Sequence, residues 1–173
     1  MSVIDIASKF VGKRETGGRN RSQIIDTLNE FVGNRLGDPY CAAGVSYCLD
    51  QAKTLYGPKD AKIPKTGSSF LMHSWFSQKG MDSKDPQDLL KWGGALGGWT
   101  NPDHHGHVFL IEKRFTSMFG LGKKVIALGT IEFNSNSAGS RDGEGIVRNK
   151  RKVGSKDFWF CDISGLPGGS YWA

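Results

Sequence analysis

The chain has 173 residues, of which 38% are hydrophobic and 24 are glycine, with a formal net charge of +6. That length suits one domain with a substantial core and leaves little room for two, and the apolar share excludes a disordered chain. No apolar run approaches the ~20 residues of a membrane-spanning helix, and the basic balance favours an anionic partner (nucleic acid, acidic lipid or a bacterial wall polymer) without choosing among them.

The first elements read as helices. Val3, Ile6, Ala7, Phe10 and Val11 recur at helical spacing, with Ser2 as cap and Gly12 as stop, so residues 2–11 form the first. Nothing in "MSVIDIASKFVGKRE" resembles a basic start followed by an apolar block, so no secretory signal is expected and the chain reads as made in a cytoplasm. Ser22 caps a second helix carrying Ile24, Ile25, Leu28, Phe31 and Val32, closed by Gly33. In "GDPYCAAGVSYCLD", Asp38 is a good N-cap and Pro39 suits the first helical position, which places Cys41 in the first turn. Cys41, Val45, Cys48 and Ala52 then share one face. A fourth helix spans about 68–79 around Phe70, Leu71, Trp75 and Phe76, ending at Gly80.

The second half changes character. "HVFLIEKR" (107–114) and "KVIALGTIEFN" (124–134) read as strands joined by a glycine-containing turn, followed by strands at 145–153 and 157–163. "PQDLLKWGG" is ambiguous between a short helix from Asp85-Pro86 and a strand ending at Trp92. Between it and His107 the glycines and proline of "GGALGGWTNPDHHG" point to an irregular loop. The basic run Arg148, Lys150, Arg151, Lys152 reads as a solvated strand. Helices first and strands after imply an α+β domain with N-terminal helices on an antiparallel sheet of about five strands.

Three cysteines, Cys41, Cys48 and Cys161, are an odd and sparse set that argues against a disulfide framework. Cys48 and Cys161 read as core. Cys41 is different, because a helix N-terminus lowers a thiol pKa and its free N–H groups can hold an oxyanion. A cysteine nucleophile needs a base distant in sequence. His73 falls within a helix and His104 and His105 within the loop, whereas His107 starts a strand after Gly106 and is the preferred base. Glu132 and Asn134, two apart on the next strand, are candidates to orient it. "HHGH" offers a rival, with His105 and His107 binding zinc alongside Cys41 or Asp103, although the spacing matches no strong zinc signature.

Together these stretches resemble a known family. "GDPYCAAGVSYCL" is similar to the cysteine-bearing helix of CHAP and NlpC-type cysteine peptidases, "GHVFLIEK" to their Gly-His-Val strand, and "GTIEFNSN" to the strand carrying Glu-x-Asn. "GKRETGGRNRSQIIDTLNEF" resembles the leader helices of phage wall-lysis enzymes. The matches fall in order over about residues 3–153.

The resemblance implies a papain-like fold and hydrolysis of a peptidoglycan amide bond through a thioester on Cys41. In that reading His107 is the base, Glu132 orients it, and Asn134 shares that role or serves the oxyanion. Gln87-Asp88 departs from the Gly-Asp that usually precedes the family's first strand, and the resemblance implies a strand at 88–92. The loop before Cys41, with a single Asp, gives no reason to carry over calcium, so neither cofactor nor metal is expected. Tyr40, Trp99, His105 and Phe133 are candidate substrate contacts at the cleft. The chain reads as one catalytic domain, 1–173, whose tail "GLPGGSYWA" is too short for a wall-binding domain. It is expected to be a monomer that acts on the wall after release, as a phage endolysin does, without nucleic-acid binding or membrane insertion. The alternatives are a non-catalytic wall- or nucleic-acid-binding module of this fold, or a zinc-dependent amidase.

Overall fold

A computed structural model describes residues 1–56, 62–103, 105–119, 122–136 and 143–172. His104 and the turn after residue 119 therefore lie outside the described residues. The helices are α1 (Val3–Ser8), α2 (Gln23–Val32), α3 (Cys41–Gln51) and α4 (Ser69–Gln78). The strands are β1 (Asp82–Ser83), β2 (Ala95–Thr100), β3 (Gly106–Phe119), β4 (Gly122–Ser135), β5 (Gly145–Lys152) and β6 (Trp159–Asp162). They form one antiparallel sheet in the order β1-β6-β2-β3-β4-β5. The expected α+β class is thus observed, with six strands among the described residues. No helix among them is long and apolar enough to cross a membrane.

The helix ends follow local chemistry. Ser2, Ser22 and Ser68 each accept a backbone N–H of the first turn, and Gly33 closes α2 in the left-handed region at φ 80°. Two expectations need correction. "ALGGWT" is not loop but the strand β2, between β6 and β3. Its glycines make room rather than turns, since a Cβ at Gly97 would overlap the Phe109 ring and one at Gly98 the Trp159 ring. Residues 88–92 are not a strand. Pro86–Leu90 is a 3₁₀ turn, started by the Asp85 side chain accepting the Gln87 N–H and held to the sheet by Val125 N–H donating to Gln87 Oε1 at 2.9 Å.

The sheet buries apolar residues on both faces. On one side Val108, Leu110, Ile131 and Phe133 meet the helices. On the other, Phe109, Ile111, Leu128, Phe158 and Phe160 pack with Leu89 of the 3₁₀ turn. Each such buried side chain contributes about 1.5–3 kcal/mol. Gly44 decides how α3 sits, because the Phe133 ring of β4 occupies the space a Cβ would need. This close approach sets the N-terminus of α3 over the start of β3.

Candidate active site

Cys41 is the first residue of α3 and is 6% exposed. The helix starts later than Asp38-Pro39 suggested, with Tyr40 at the N-cap and no side-chain cap. Asp38 instead turns back, its carboxylate accepting the Arg35 N–H at 3.0 Å. Asp38 therefore does not compete with the thiol for the first-turn N–H groups. An uncapped N-terminus leaves those donors for a thiolate or an oxyanion.

His107, at the start of β3, is fully buried. Its Nε2 lies 3.1 Å from Glu132 Oε2. Its Nδ1 has no geometrically regular hydrogen bond among the described residues, and Cys41 is the thiol that interacts with the ring. Burial alone would raise the Cys41 thiol. The hydrogen bond and charge of His107 outweigh it, helped by the Val108 and Ala42 N–H groups, and hold the thiol below its ordinary value. Burial likewise works to lower His107, but acceptors at Cys41 and Glu132 raise it above the ordinary imidazole value. Both directions favour the same state, a thiolate beside an imidazolium.

Glu132 is held from four further directions. Arg151 donates from Nε to Oε1 at 2.6 Å and from Nη2 to Oε2 at 2.5 Å. The Thr130 and Ser135 hydroxyls donate at 2.6 and 2.9 Å. Burial pushes the carboxyl up, yet the hydrogen bonds and charges of His107 and Arg151 keep it well below the usual carboxylate range. Charges then alternate along Cys41, His107, Glu132 and Arg151 and sum to zero, which is what makes burying them tolerable. Arg151 is the residue that sequence reasoning missed, since the run 148–152 was expected to be solvated throughout. The available signal was period two, which puts Arg151 on the same side of β5 as Val147 and Asn149, opposite the exposed Arg148, Lys150 and Lys152.

Asn134 does not share Glu132's task. The ladder between β4 and β5 shifts register between Glu132 and Ser135, and Asn134 adopts φ 54°, a conformation asparagine tolerates better than most residues. The bulge breaks the strand alternation that would have put both side chains together. Asn134 instead lines the cleft with Cys41, and its buried Oδ1 has no hydrogen-bond partner among the described residues.

That cleft holds about 580 Å³ and is bordered by Arg19, Asn34, Asp38, Lys65, Ser68 and His105. Of the four expected substrate contacts, only His105 lines it. Tyr40 is buried beneath, its hydroxyl 3.4 Å from Glu15 Oε1. Phe133 packs on Gly44. Trp99 lies 4.9 Å from the His107 ring, with the Arg151 guanidinium 4.8 Å from its own. These three shape the site by packing. His73 stacks on Trp159 at 4.4 Å and pairs with Asp82, away from this group. The zinc grouping of His105 with His107 does not assemble: His107 Nε2 is committed to Glu132, and no cluster of three or more His, Cys, Asp or Glu among the described residues is arranged for a metal ion. Cys48 and Cys161 are buried, free of disulfides and raised by that burial.

Comparison with protein-family models, with curated proteins and with solved structures finds no match.

Proposed function

We propose that this chain hydrolyses an amide bond of peptidoglycan through a thioester on Cys41, on a papain-like fold. The observation that carries the reading is the buried array in which His107, held at Nε2 by Glu132, meets a thiol at an uncapped helix N-terminus. The Cys41 thiolate attacks the carbonyl carbon. The oxyanion takes the N–H groups of the first turn of α3 and the Asn134 amide. His107 gives its Nδ1 proton to the leaving amine as the C–N bond breaks, leaving a thioester. It then takes a proton from water, whose oxygen attacks the thioester and releases the acid and the thiolate. The wall substrate rests on the three resembling stretches around Cys41, His107 and Glu132, with the +6 charge as secondary support.

Purified protein should lower the turbidity of isolated walls, and mass spectrometry of the digest should show new free amines at one amide position. Walls that stay intact, or release only reducing sugar ends, would sink the reading.

The pH profile follows from the directions above. Activity requires thiolate with imidazolium. It should rise with pH as the lowered thiol ionises and fall as the raised imidazole loses its proton. The profile of kcat/KM should be a bell whose acid limb lies below the ordinary thiol range and whose basic limb lies above 6.5, the ordinary imidazole value. A single limb rising near the ordinary thiol pKa would show that no pair is formed.

A further inference from the structure

About 20 Å along β3 from His107, the sheet carries lysines that nothing in the Cys41 chemistry uses. Register places them together. Lys113 stands opposite Gly129, and Gly129 opposite Lys150, while Phe115 stands opposite Ala127, and Ala127 opposite Lys152. The stem of Lys113 lies over Gly129, where a Cβ would otherwise sit. Lys150 Nζ is 4.5 Å and Lys113 Nζ 5.2 Å from the centre of the Phe115 ring, so two ammonium groups share one aromatic side chain. All three lysines are exposed.

Nearby carboxylates are engaged elsewhere: Glu112 with Arg148, Glu132 with Arg151 and Asp157 with Lys84. Residues 113–131 and 145–156 contain no Asp or Glu at all. Like charges gathered on neighbouring strands repel. An array of this kind is relieved by a bound anion whose charges match its spacing.

We propose that this face of β3–β5 binds a linear polymer of phosphate diesters that lacks aromatic bases. Lysine acts as a compact point charge suited to phosphate. Lys150 and Lys152, two residues apart on one strand, are separated by roughly 7 Å, and Lys113 stands two strands from Lys150, roughly 10 Å away. A flexible chain with one charge per repeat can follow that array. The state of Phe115 selects against the other polyanionic partners. With two ammonium groups at its ring, Phe115 is engaged as a cation partner, which disfavours both its stacking on a base and its entry into a lipid surface. The inference does not depend on Cys41, and the two readings can fail separately.

The test is binding of poly(glycerol phosphate) to the full chain, with a thymidine oligonucleotide and phosphatidylglycerol vesicles as competing arms. K113Q/K150Q/K152Q should weaken polymer binding at least 10-fold. It should also flatten the dependence of log Kd on log salt by about 2, three phosphate contacts at about 0.7 each. Circular dichroism and Cys41 labelling should be unchanged. A K113R/K150R/K152R variant should keep wild-type binding, and it decides the matter if the glutamine variant fails to fold. Equal binding by wild type and the glutamine variant would overturn the proposal. So would tighter binding of the oligonucleotide or the vesicles than of the polymer, or loss of binding in the arginine variant.

Discussion

Alanine at Cys41 is expected to abolish wall hydrolysis, by about 10³-fold or more, while the folded state survives. The side chain is small and sits at a helix end, so its truncation leaves little cavity and should move the unfolding midpoint by only a few degrees. The thiolate is also the acceptor that helps raise His107, so the imidazole of the variant should titrate lower. Serine at the same position should be nearly as inactive, because an alcohol is far harder to ionise than a thiol. Iodoacetamide gives an independent check. At pH 6 it should label Cys41 alone, since the Cys48 and Cys161 thiols are buried and pushed up. Walls cleared at the wild-type rate by Cys41→Ala, or equal slow labelling of all three cysteines, would remove Cys41 as the nucleophile.

What the sequence reveals of this site is what short-range pattern encodes. Helical spacing locates the four described helices and serine caps start three of them, and the apolar runs from His107 and from Lys124 locate the central hairpin. Cys41, His107 and Glu132 are legible because each opens or closes such an element. What is not legible depends on contacts between elements. Gly97 and Gly98 resemble a loop until Phe109 and Trp159 are seen to occupy the space beside them. Asp38 has the chemistry of an N-cap, but its carboxylate goes to the Arg35 N–H. The bulge at Asn134 depends on the pairing of β4 with β5, which no local pattern announces. Arg151 was hidden by its company. Three exposed cations in the same run masked the one that turns inward, and only the β5 register brings it to Glu132.

Methionine at Arg151 is expected to lower kcat by roughly 10²-fold with KM little changed, although Arg151 does not line the cleft. The fork from Arg151 fixes both oxygens of Glu132, and Glu132 fixes His107 Nε2. The guanidinium also lies 4.8 Å from the Trp99 ring and 5.3 Å from that of Phe109, and Trp99 flanks His107. Arg151 is thus a positioning residue acting through the carboxylate. Its removal leaves a buried charge half-compensated, so stability should fall by about 3–5 kcal/mol.

A merely structural role would end there, but the electrostatics predict more. The positive charge of Arg151 opposes formation of the imidazolium and competes for the carboxylate that stabilises it. Without it, Glu132 acts on His107 alone, the imidazole is raised further, and the basic limb of the pH profile moves to higher pH. The Glu132 carboxyl, no longer held down by Arg151, moves toward the ordinary carboxylate range. Lysine at the same position keeps the charge and loses the fork, so it should leave the basic limb near its wild-type position while kcat remains depressed. A folded Arg151→Met protein with wild-type kcat and an unmoved basic limb would show that Glu132 holds His107 unaided. A drop in kcat with no change in the limb would reduce Arg151 to packing.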